Sequence, residues 1–303
     1  MELADKEIEL KNLNRYLLRQ QRLINHALDR ALPRQNRPPT TLHRAMRYSL
    51  FAGGKRLRPV FCLAACEAVG GKICRTLPPA CAVEMIHTYS LIHDDLPCMD
   101  NDDFRRGKPT CHKVFGEGMA VLAGDAILTQ AFEVLGKTKP TSRYTSADFL
   151  TELADAAGSL NLIAGQVADL ESEGKGISAA QLRWIHERKT AALISTSIRL
   201  GAMSGNATSV QLHALTRFGH AVGLAFQIID DILDATQTTK QLGKTAGKDA
   251  KAQKATYPKI LGLERAQQEA ARWTSVAFTA LKGFGKEAEP LREIARYLLE
   301  RKS

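Results

Sequence analysis

The amino-acid sequence predicts an all-α protein, folded as a single bundle of antiparallel helices. Apolar residues recur at steps of three and four, as in Met119–Leu135, and this is the spacing of one face of a helix. No stretch shows the strict apolar–polar alternation of a half-buried strand, so strands are not expected. Two helix starts carry a capping box, Ser178 with Gln181 and Thr208 with Gln211.

Short segments rich in Gly, Pro, Ser, Thr or Lys separate the predicted helices. They are typical of the turns in a helical bundle rather than of linkers between domains, and the chain shows no internal repeat. We therefore expect residues 1–303 to form one domain. The predicted breaks are Leu32–Pro39, Gly136–Ser146, Ser172–Ser178, Ser204–Ser209, Thr236–Thr256 and Lys282–Pro290.

Composition limits the kinds of partner that this chain can have. Its formal net charge of +10 suits an anion, such as nucleic acid, a membrane surface or a phosphorylated substrate. Nucleic acid is the least favoured, because no run of Lys and Arg is long enough to form a binding arm.

The N-terminus lacks a secretory signal pattern, and no uncharged apolar stretch reaches the length of about 20 residues that a spanning helix needs. These features predict a soluble cytoplasmic protein without membrane insertion, unless a targeting segment has been removed.

The stretch from Ile92 to Asp103 contains five aspartates. Such a cluster raises its own pKa values unless a cation compensates it, and hard carboxylate oxygens select Mg²⁺, which also accepts substrate phosphates as ligands. A helix is expected to end near Asp94, because Pro97 cannot continue it. The chain should then bulge and return Asp100 to the side of Asp94.

Two adjacent arginines, Arg105 and Arg106, follow this acidic stretch. Guanidinium groups beside a metal cluster suit a polyphosphate, because the metal and the guanidinium forks bind different phosphate oxygens. The alternative is an ordinary surface salt bridge to neighbouring aspartates. For Asp102 and Asp103, a solvated acidic turn is as well supported as a metal site.

A second acidic group, Asp230, Asp231 and Asp234, lies at the end of an apolar helical stretch. Asp230 and Asp234 share a helical face, where like charges are destabilising without a counter-ion. A second metal position would relieve this repulsion. Two further polar pairs lie in apolar helices, Gln166 with Asp169 and Lys189 with Thr190.

The segment Phe51–Pro59 contains two glycines followed by three basic residues. Glycine permits a close backbone approach to an anion. The segment is not a Walker A loop, because the first glycine of that motif is missing and Arg56 stands where Ser or Thr is needed. Alone, it is a weak indication of an anion site.

Together these motifs resemble the trans-isoprenyl diphosphate synthase family. The matching segments are GGKRLRP, HTYSLIHDDLPCMDNDDFRRGKPT, GQVADL, ERKTAALI and GLAFQIIDDILD, in the family's order. The resemblance implies about ten core helices around a deep central cavity, usually in a homodimer. It also implies that an allylic diphosphate ionises, that isopentenyl diphosphate attacks the allylic cation, and that loss of a proton restores the double bond.

Carried over position by position, the resemblance assigns a role to each matching residue. It implies Mg²⁺ ligands at Asp94, Asp100, Asp169, Asp230 and, more weakly, Asp234, with Asp95 supporting the ligand shell. Contacts to the allylic substrate, dimethylallyl and then geranyl diphosphate, are implied for Arg105, Lys189, Lys244 and, less firmly, Lys248. The isopentenyl diphosphate site is implied at Gly54, Lys55, Arg58, His87 and Arg106. Thr190 and Gln227 resemble dipoles that face the developing cation, and they count as catalytic together with Lys189 and Lys244.

Electrostatics accounts for this arrangement. Carbon–oxygen cleavage leaves negative charge on diphosphate, where Mg²⁺, Lys and Arg stabilise it, while the cation needs a dry pocket. His87 lies two helical turns before Asp94 on the same face, so an anion contact is favoured over a general-base role. The Lys-rich segment Thr236–Thr256 is expected to close over the diphosphate.

Product length is predicted from Tyr89 and Ser90, five and four positions before Asp94. Tyr89 lies about 7.5 Å back along the helix axis, and the resemblance implies that this position often faces the cavity. An aromatic ring there would act as a floor for the growing tail. This arrangement resembles bacterial-type farnesyl diphosphate synthases and predicts the C15 product, (2E,6E)-farnesyl diphosphate. The alternative is that Tyr89 is ordinary core packing.

Four other interpretations of the motifs were considered. The nearest is a geranylgeranyl diphosphate synthase of the same fold, which makes a C20 product. A terpene cyclase is disfavoured, because the second Asp-rich motif and the isopentenyl diphosphate residues are present. A non-catalytic helical regulatory subunit is disfavoured because both Asp-rich motifs are intact, and a basic RNA-binding module would leave them unexplained.

Overall fold

Helices make up nearly all the regular structure in the computed structural model, which describes residues 2–236 and 255–299. Within these ranges there are also a π-helix, Glu187–Ala191, and a 3₁₀ turn, Lys286–Ala288. The α-helices are α1 Glu2–Ala31, α2 Thr40–Leu50, α3 Leu57–Ala68, α4 Ile73–Asp94, α5 Cys111–Phe115, α6 Glu117–Leu135, α7 Ser146–Ala157, α8 Leu162–Ser172, α9 Ala179–His186, α10 Ala192–Ser204, α11 Ser209–Thr236, α12 Tyr257–Leu261, α13 Leu263–Ala280 and α14 Glu289–Leu299. The predicted all-α class is confirmed.

One small β-hairpin departs from the prediction that strands are absent. Strand β1 (Phe104–Arg105) pairs antiparallel with β2 (Lys108–Pro109), with Arg106 and Gly107 at the turn. Both turn residues have positive φ, 53° and 75°, as a two-residue hairpin turn requires. Sequence periodicity could not reveal strands of two residues.

The predicted capping boxes are confirmed, and the structure contains a third. Ser178 and Gln181 exchange hydrogen bonds at the start of α9. In the same way, the amide of Gln211 donates to the hydroxyl of Thr208 over 3.3 Å, while the Gln211 side chain accepts from the Thr208 amide over 2.9 Å. The third box pairs Thr145 with Asp148, where an acid replaces the expected amide.

The segment that carries Lys189 lies between α8 and α11, and glycines allow this close approach. A Cβ atom on Gly165 of α8 would meet the backbone of Lys189, and one on Gly223 of α11 would meet Ala191. Gly201 of α10 similarly lies against the Cys62 carbonyl of α3. Buried apolar side chains from helices along the whole described chain form one continuous hydrophobic cluster around these contacts.

Helix α6 is long and apolar enough to cross a membrane, judged by length and composition alone. It packs along α4, and Ala123, Ile127 and Ala131 are fully buried. The core helix of a bundle satisfies the same criteria, so this helix is weak evidence for a membrane span.

Candidate active site

The first acidic motif lies at the C-terminal end of α4, where the chain folds back on itself. The amide of Asp100 donates to the carbonyl of Asp94 over 2.8 Å, and the amide of Asp102 donates to the carbonyl of Asp95 over 3.2 Å. Asn101 takes the left-handed conformation that this turn needs, with φ 49°. The predicted bulge is confirmed, and it brings the two ends of the motif together.

Asp95 and Arg105 form a paired anchor within this motif. Asp95 is buried, and its Oδ1 accepts from Arg105 Nε at 2.7 Å and lies 2.6 Å from Arg105 Nη2. The same guanidinium approaches Asp102 at 3.6 Å. These contacts suit Asp95 to a supporting role, because one of its oxygens is already committed to the guanidinium.

Asp94 is a half-buried carboxylate with both carboxylates and cations near it. Burial and the charges of Asp100 and Asp95 raise its pKa to about 6, although Lys189 and Arg105 act in the opposite direction. A divalent cation would favour the ionised form of these carboxylates and offset their mutual repulsion. Oxygen donors are also the ligands that Mg²⁺ prefers.

In the part of the chain that the structure describes, no three side chains of His, Cys, Asp or Glu form a ready-made metal site. Mg²⁺ usually keeps several water molecules and substrate phosphate oxygens as ligands, so a few separated carboxylates are compatible with it. The donor chemistry therefore fits a magnesium ion that is shared with a diphosphate. We refer to Asp94, Asp95, Asp100 and Asp169 as the acidic cluster.

Lys189 connects α8 to this acidic cluster. Its Nζ lies 2.5 Å from Asp169 Oδ2, and its charge also acts on Asp94. Lys189 is carried by the π-helix Glu187–Ala191, a type of distortion that occurs frequently at functional sites. The sequence placed Lys189 on a regular helix, because the extra residue of a π-turn leaves no signal in apolar spacing.

The three aspartates of the second acidic motif, all on α11, differ in how deeply they are buried. Asp230 and Asp234 are half-buried, whereas Asp231 is only 4% exposed. Asp231 accepts hydrogen bonds from Gln227 and from the backbone amide of Tyr257. No separate role was predicted for Asp231, although its position on the inward face of an apolar helix was a usable signal.

A basic loop, residues 53–56, packs against the β-hairpin. Arg106 Nη1 donates to the carbonyl of Gly53, and a Cβ atom on Gly54 would collide with the Arg106 guanidinium. Gly54 also has φ +113°, so a side chain is excluded twice at this position. Lys55 reaches α14, where its Nζ lies 3.2 Å from the Tyr297 hydroxyl.

Arg58 and His87 lie deeper beside this loop. Burial lowers the pKa of Arg58 to about 10, and its Nε makes no hydrogen bond to any described residue. Burial, together with the charges of Arg58 and Arg106, holds the pKa of His87 well below its usual value. An unpaired buried donor and a cluster of positive charge fit an anionic ligand.

Arg56 differs from its basic neighbours because its guanidinium points into the protein. It is 4% exposed, and its nitrogens donate to Asn25 Oδ1 at 3.0 Å, to Glu84 Oε1 at 2.7 Å and to the Leu50 carbonyl at 2.6 Å. Sequence reasoning missed Glu84 and Asn25. An acid within the apolar run of α4 was the signal that could have identified Glu84.

Tyr89 and Ser90 lie on α4 below Asp94. The Tyr89 ring is 7% exposed and lies edge-on to His93, with 5.8 Å between ring centroids. Ser90 is half-buried and donates to the His87 carbonyl over 3.0 Å. The predicted contacts from Lys244 and Lys248, with almost all of the proposed flap, lie outside the described residues.

The fold and the two oppositely charged clusters together define the class of protein, an all-α enzyme of the isoprenoid synthase type. A family model described as polyprenyl synthetase matches residues 39–289. The chain belongs to this family, as its motifs predicted, and it is a prenyltransferase that acts as a short-chain trans-prenyl diphosphate synthase.

Two similar proteins come from plants. The heterodimeric geranylgeranyl pyrophosphate synthase large subunit 1, chloroplastic, of Arabidopsis thaliana is 50% identical, over 95% of this chain and 79% of its own. The chloroplastic geranylgeranyl pyrophosphate synthase of Capsicum annuum is 51% identical, over 92% of this chain and 76% of its own.

Solved structures agree on the fold. The FPP/GFPP synthase of Zymomonas mobilis is 37% identical with a TM-score of 0.85, and the match covers 95% of this chain and 99% of that one. The geranyltransferase of Helicobacter pylori, complexed with magnesium and isoprenyl diphosphate, is 33% identical with a TM-score of 0.84. That match covers 96% of this chain and 98% of the other.

The prediction of a cytoplasmic protein is wrong, because the plant relatives at about half identity are chloroplastic. The prediction rested on the missing secretory signal pattern at the N-terminus. That pattern tests for secretion alone and does not distinguish the cytoplasm from other compartments.

Proposed function

We propose that this chain is a Mg²⁺-dependent geranylgeranyl diphosphate synthase. It would condense isopentenyl diphosphate with dimethylallyl, geranyl and farnesyl diphosphate in turn, and each step would release diphosphate. Plant relatives named as geranylgeranyl pyrophosphate synthases, at about 50% identity, support the C20 product over the C15 product predicted from Tyr89.

The geometry of α4 supports the longer product. Ser90 lies one helical turn before Asp94 on the same face, and its small side chain is turned back onto the helix backbone. The Tyr89 ring packs beside His93, whose Nε2 lies 3.1 Å from the Val121 carbonyl of α6. The bulky residue therefore lies beside His93, which contacts α6, and the small residue lies one helical turn below Asp94.

Farnesyl diphosphate is the second candidate product, and one observation favours it. Burial and the nearby charge of Asp94 raise the pKa of Tyr89, so its hydroxyl lies within the field of the acidic cluster. A ring that reaches toward Asp94 would shorten the space for the tail.

Product chromatography with dimethylallyl and isopentenyl diphosphates, with and without Mg²⁺, tests the proposal. A C20 product that needs Mg²⁺ is expected, whereas a final C15 product would favour the second candidate. No prenyl product with Mg²⁺ would overturn both and favour a regulatory subunit. Tyr89→Ala should lengthen the product only if the ring is a floor, and Tyr89→Phe is the matched control that keeps the ring.

The roles of individual residues follow from this proposal. Mg²⁺, held by Asp94, Asp100, Asp169, Asp230 and Asp234, would neutralise charge on the departing diphosphate. The contact of Lys189 with Asp169 supports its placement at the allylic diphosphate. The Nε of Arg58, which has no hydrogen-bond partner among the described residues, supports a second diphosphate at the basic loop, shared with Lys55, His87 and Arg106. Lys244 remains a proposed contact from outside the described ranges.

We also propose a one-domain subunit that forms a homodimer. The continuous hydrophobic cluster supports one domain, and the exposed apolar residues Val121 and Leu122 on α6 support an interface. A relative named as the large subunit of a heterodimeric enzyme makes a mixed dimer the alternative. Light scattering should give the mass of a dimer for the isolated chain and that of a monomer for Leu122→Lys. A monomeric unmodified chain would contradict the homodimer.

A further inference from the structure

A chain of hydrogen bonds leads from Thr190 to a buried carboxylate. Thr190 Oγ1 donates to Gln227 Oε1 over 3.0 Å, and Gln227 Nε2 donates to Asp231 Oδ1 over 3.3 Å. The other oxygen of Asp231, Oδ2, accepts the backbone amide of Tyr257 over 3.0 Å. This relay joins the π-helix, α11 and α12.

The chemistry of Asp231 determines how the other two groups point. An ionised carboxylate only accepts hydrogen bonds, so the NH₂ end of the Gln227 amide must face it. The carbonyl end of the amide then faces Thr190, which must donate its single hydroxyl proton. A hydroxyl group normally rotates to suit its surroundings, but this one is held with its oxygen lone pairs turned away from Gln227.

The relay ends next to the acidic cluster. Thr190 follows Lys189, whose ammonium group contacts Asp169 and acts on Asp94. With its proton directed at Gln227, the Thr190 hydroxyl is an oriented dipole. Its oxygen can then face the positive charge that develops on an allylic carbon. Such a dipole is effective because it needs no reorganisation when the charge appears.

Asp231 is poorly placed to bind metal. It is 4% exposed, and each of its oxygens already accepts a directional hydrogen bond. Asp230 and Asp234, in contrast, are half-buried on α11. The three aspartates of this motif therefore have two different environments.

We propose that Asp231 is a positioning residue, which orients Gln227 and through it the Thr190 hydroxyl toward the allylic cation, rather than a Mg²⁺ ligand. The inference rests on the proposed prenyl transfer. It separates one carboxylate of the second acidic motif from the two that would hold metal.

Asp231→Asn tests the proposal, because the amide keeps the shape of the carboxylate but both donates and accepts. Gln227 can then reverse, and Thr190 loses its fixed orientation. We expect kcat to fall about 10- to 100-fold, less than the cost of about 10²- to 10³-fold for removing a preorganised dipole, because Asp231→Asn leaves the Thr190 hydroxyl in place. The KM for isopentenyl diphosphate and the Mg²⁺ concentration for half-maximal rate should stay within about threefold. Asp155→Asn, on the exposed surface of α7, is the matched control.

A double-mutant cycle distinguishes positioning from metal binding. If Asp231 acts through Gln227, adding Asp231→Asn to Gln227→Leu should lower kcat less than about twofold further. If the two effects multiply, or if Asp231→Asn raises the Mg²⁺ requirement tenfold or more, the proposal is overturned.

Thr190 provides a test that does not depend on the folding of Asp231 variants. Thr190→Ser keeps the hydroxyl and should retain kcat within about threefold, whereas Thr190→Val should lose about as much as Asp231→Asn. Full activity in Thr190→Val would refute the relay. If the unmodified protein forms no prenyl diphosphate, the proposed function itself fails, which is a different result from multiplicative effects in an active enzyme.

Discussion

The basic loop and the acidic cluster differ in how far contacts within the protein hold their charged side chains in place. At the basic loop, Arg106 binds the Gly53 carbonyl, and Arg56 is fully paired with Glu84, Asn25 and a backbone carbonyl. At the acidic cluster, by contrast, burial and, to a smaller extent, neighbouring like charges raise the pKa of Asp94 to about 6. The basic side is preorganised by protein contacts, whereas the acidic side depends on added positive charge.

The physical reason lies in the available partners. A buried guanidinium can be satisfied by one carboxylate and several carbonyl oxygens, which the backbone supplies in abundance. A group of aspartates needs cations, and two cations that lie here, Lys189 and Arg105, already contact Asp169 and Asp95. This contrast leads to three predictions, in decreasing order of expected effect.

Asp94→Asn should abolish most of the activity, because it removes an anionic oxygen from the side that needs a cation. We expect kcat to fall by about 10³-fold or more at saturating Mg²⁺, measured by steady-state kinetics. Asp103→Asn is the matched control, since that side chain is 58% exposed and forms a surface pair with Lys113. A loss of less than about tenfold at Asp94 would remove the distinction between the two regions.

Arg56→Met should destabilise the protein, because it leaves Glu84 as a buried, unpaired charge. The free energy of unfolding in urea should fall by about 3–5 kcal/mol. The KM for isopentenyl diphosphate should rise more than that for the allylic substrate, since Arg56 supports the basic loop. Arg272→Met breaks an exposed pair with Glu269 and should cost less than about 1 kcal/mol. Equal losses in both variants would argue against preorganisation.

His87→Gln should alter the dependence of stability on pH. The folded protein holds the pKa of His87 well below its usual value, so the unfolded chain binds a proton at higher pH than the folded one. Stability should therefore fall as the pH drops below about 6.5, by at most about 1.4 kcal/mol per pH unit from this group. Urea unfolding between pH 6.5 and 5 should show a shallower decline for His87→Gln. Identical profiles would mean that the folded protein does not lower the pKa of His87.

Local patterns in the sequence predicted much of the molecule correctly. The bulge after α4 followed from Pro97, and two capping boxes followed from Ser178 and Thr208. These features depend on neighbours within a few residues. The location of the protein was predicted wrongly because a missing signal pattern was used as positive evidence.

The distinctions that matter for chemistry required the three-dimensional contacts. Arg56 and Arg58 are two residues apart, yet only one of them has its guanidinium fully paired in the interior, because Glu84 and Asn25 lie on other helices. Asp230 and Asp231 are adjacent, yet Asp231 alone accepts the amide of Tyr257, 26 residues further on. A pattern of residue types cannot choose between such neighbours.

From residue order alone came the helical class, the family and the two acidic motifs, because apolar spacing and acid clusters are recorded directly in the chain. Tertiary structure decided which carboxylates and cations are available to a ligand and which are paired with other residues of the protein. That choice depends on burial and on partners from distant segments, which a linear pattern does not contain.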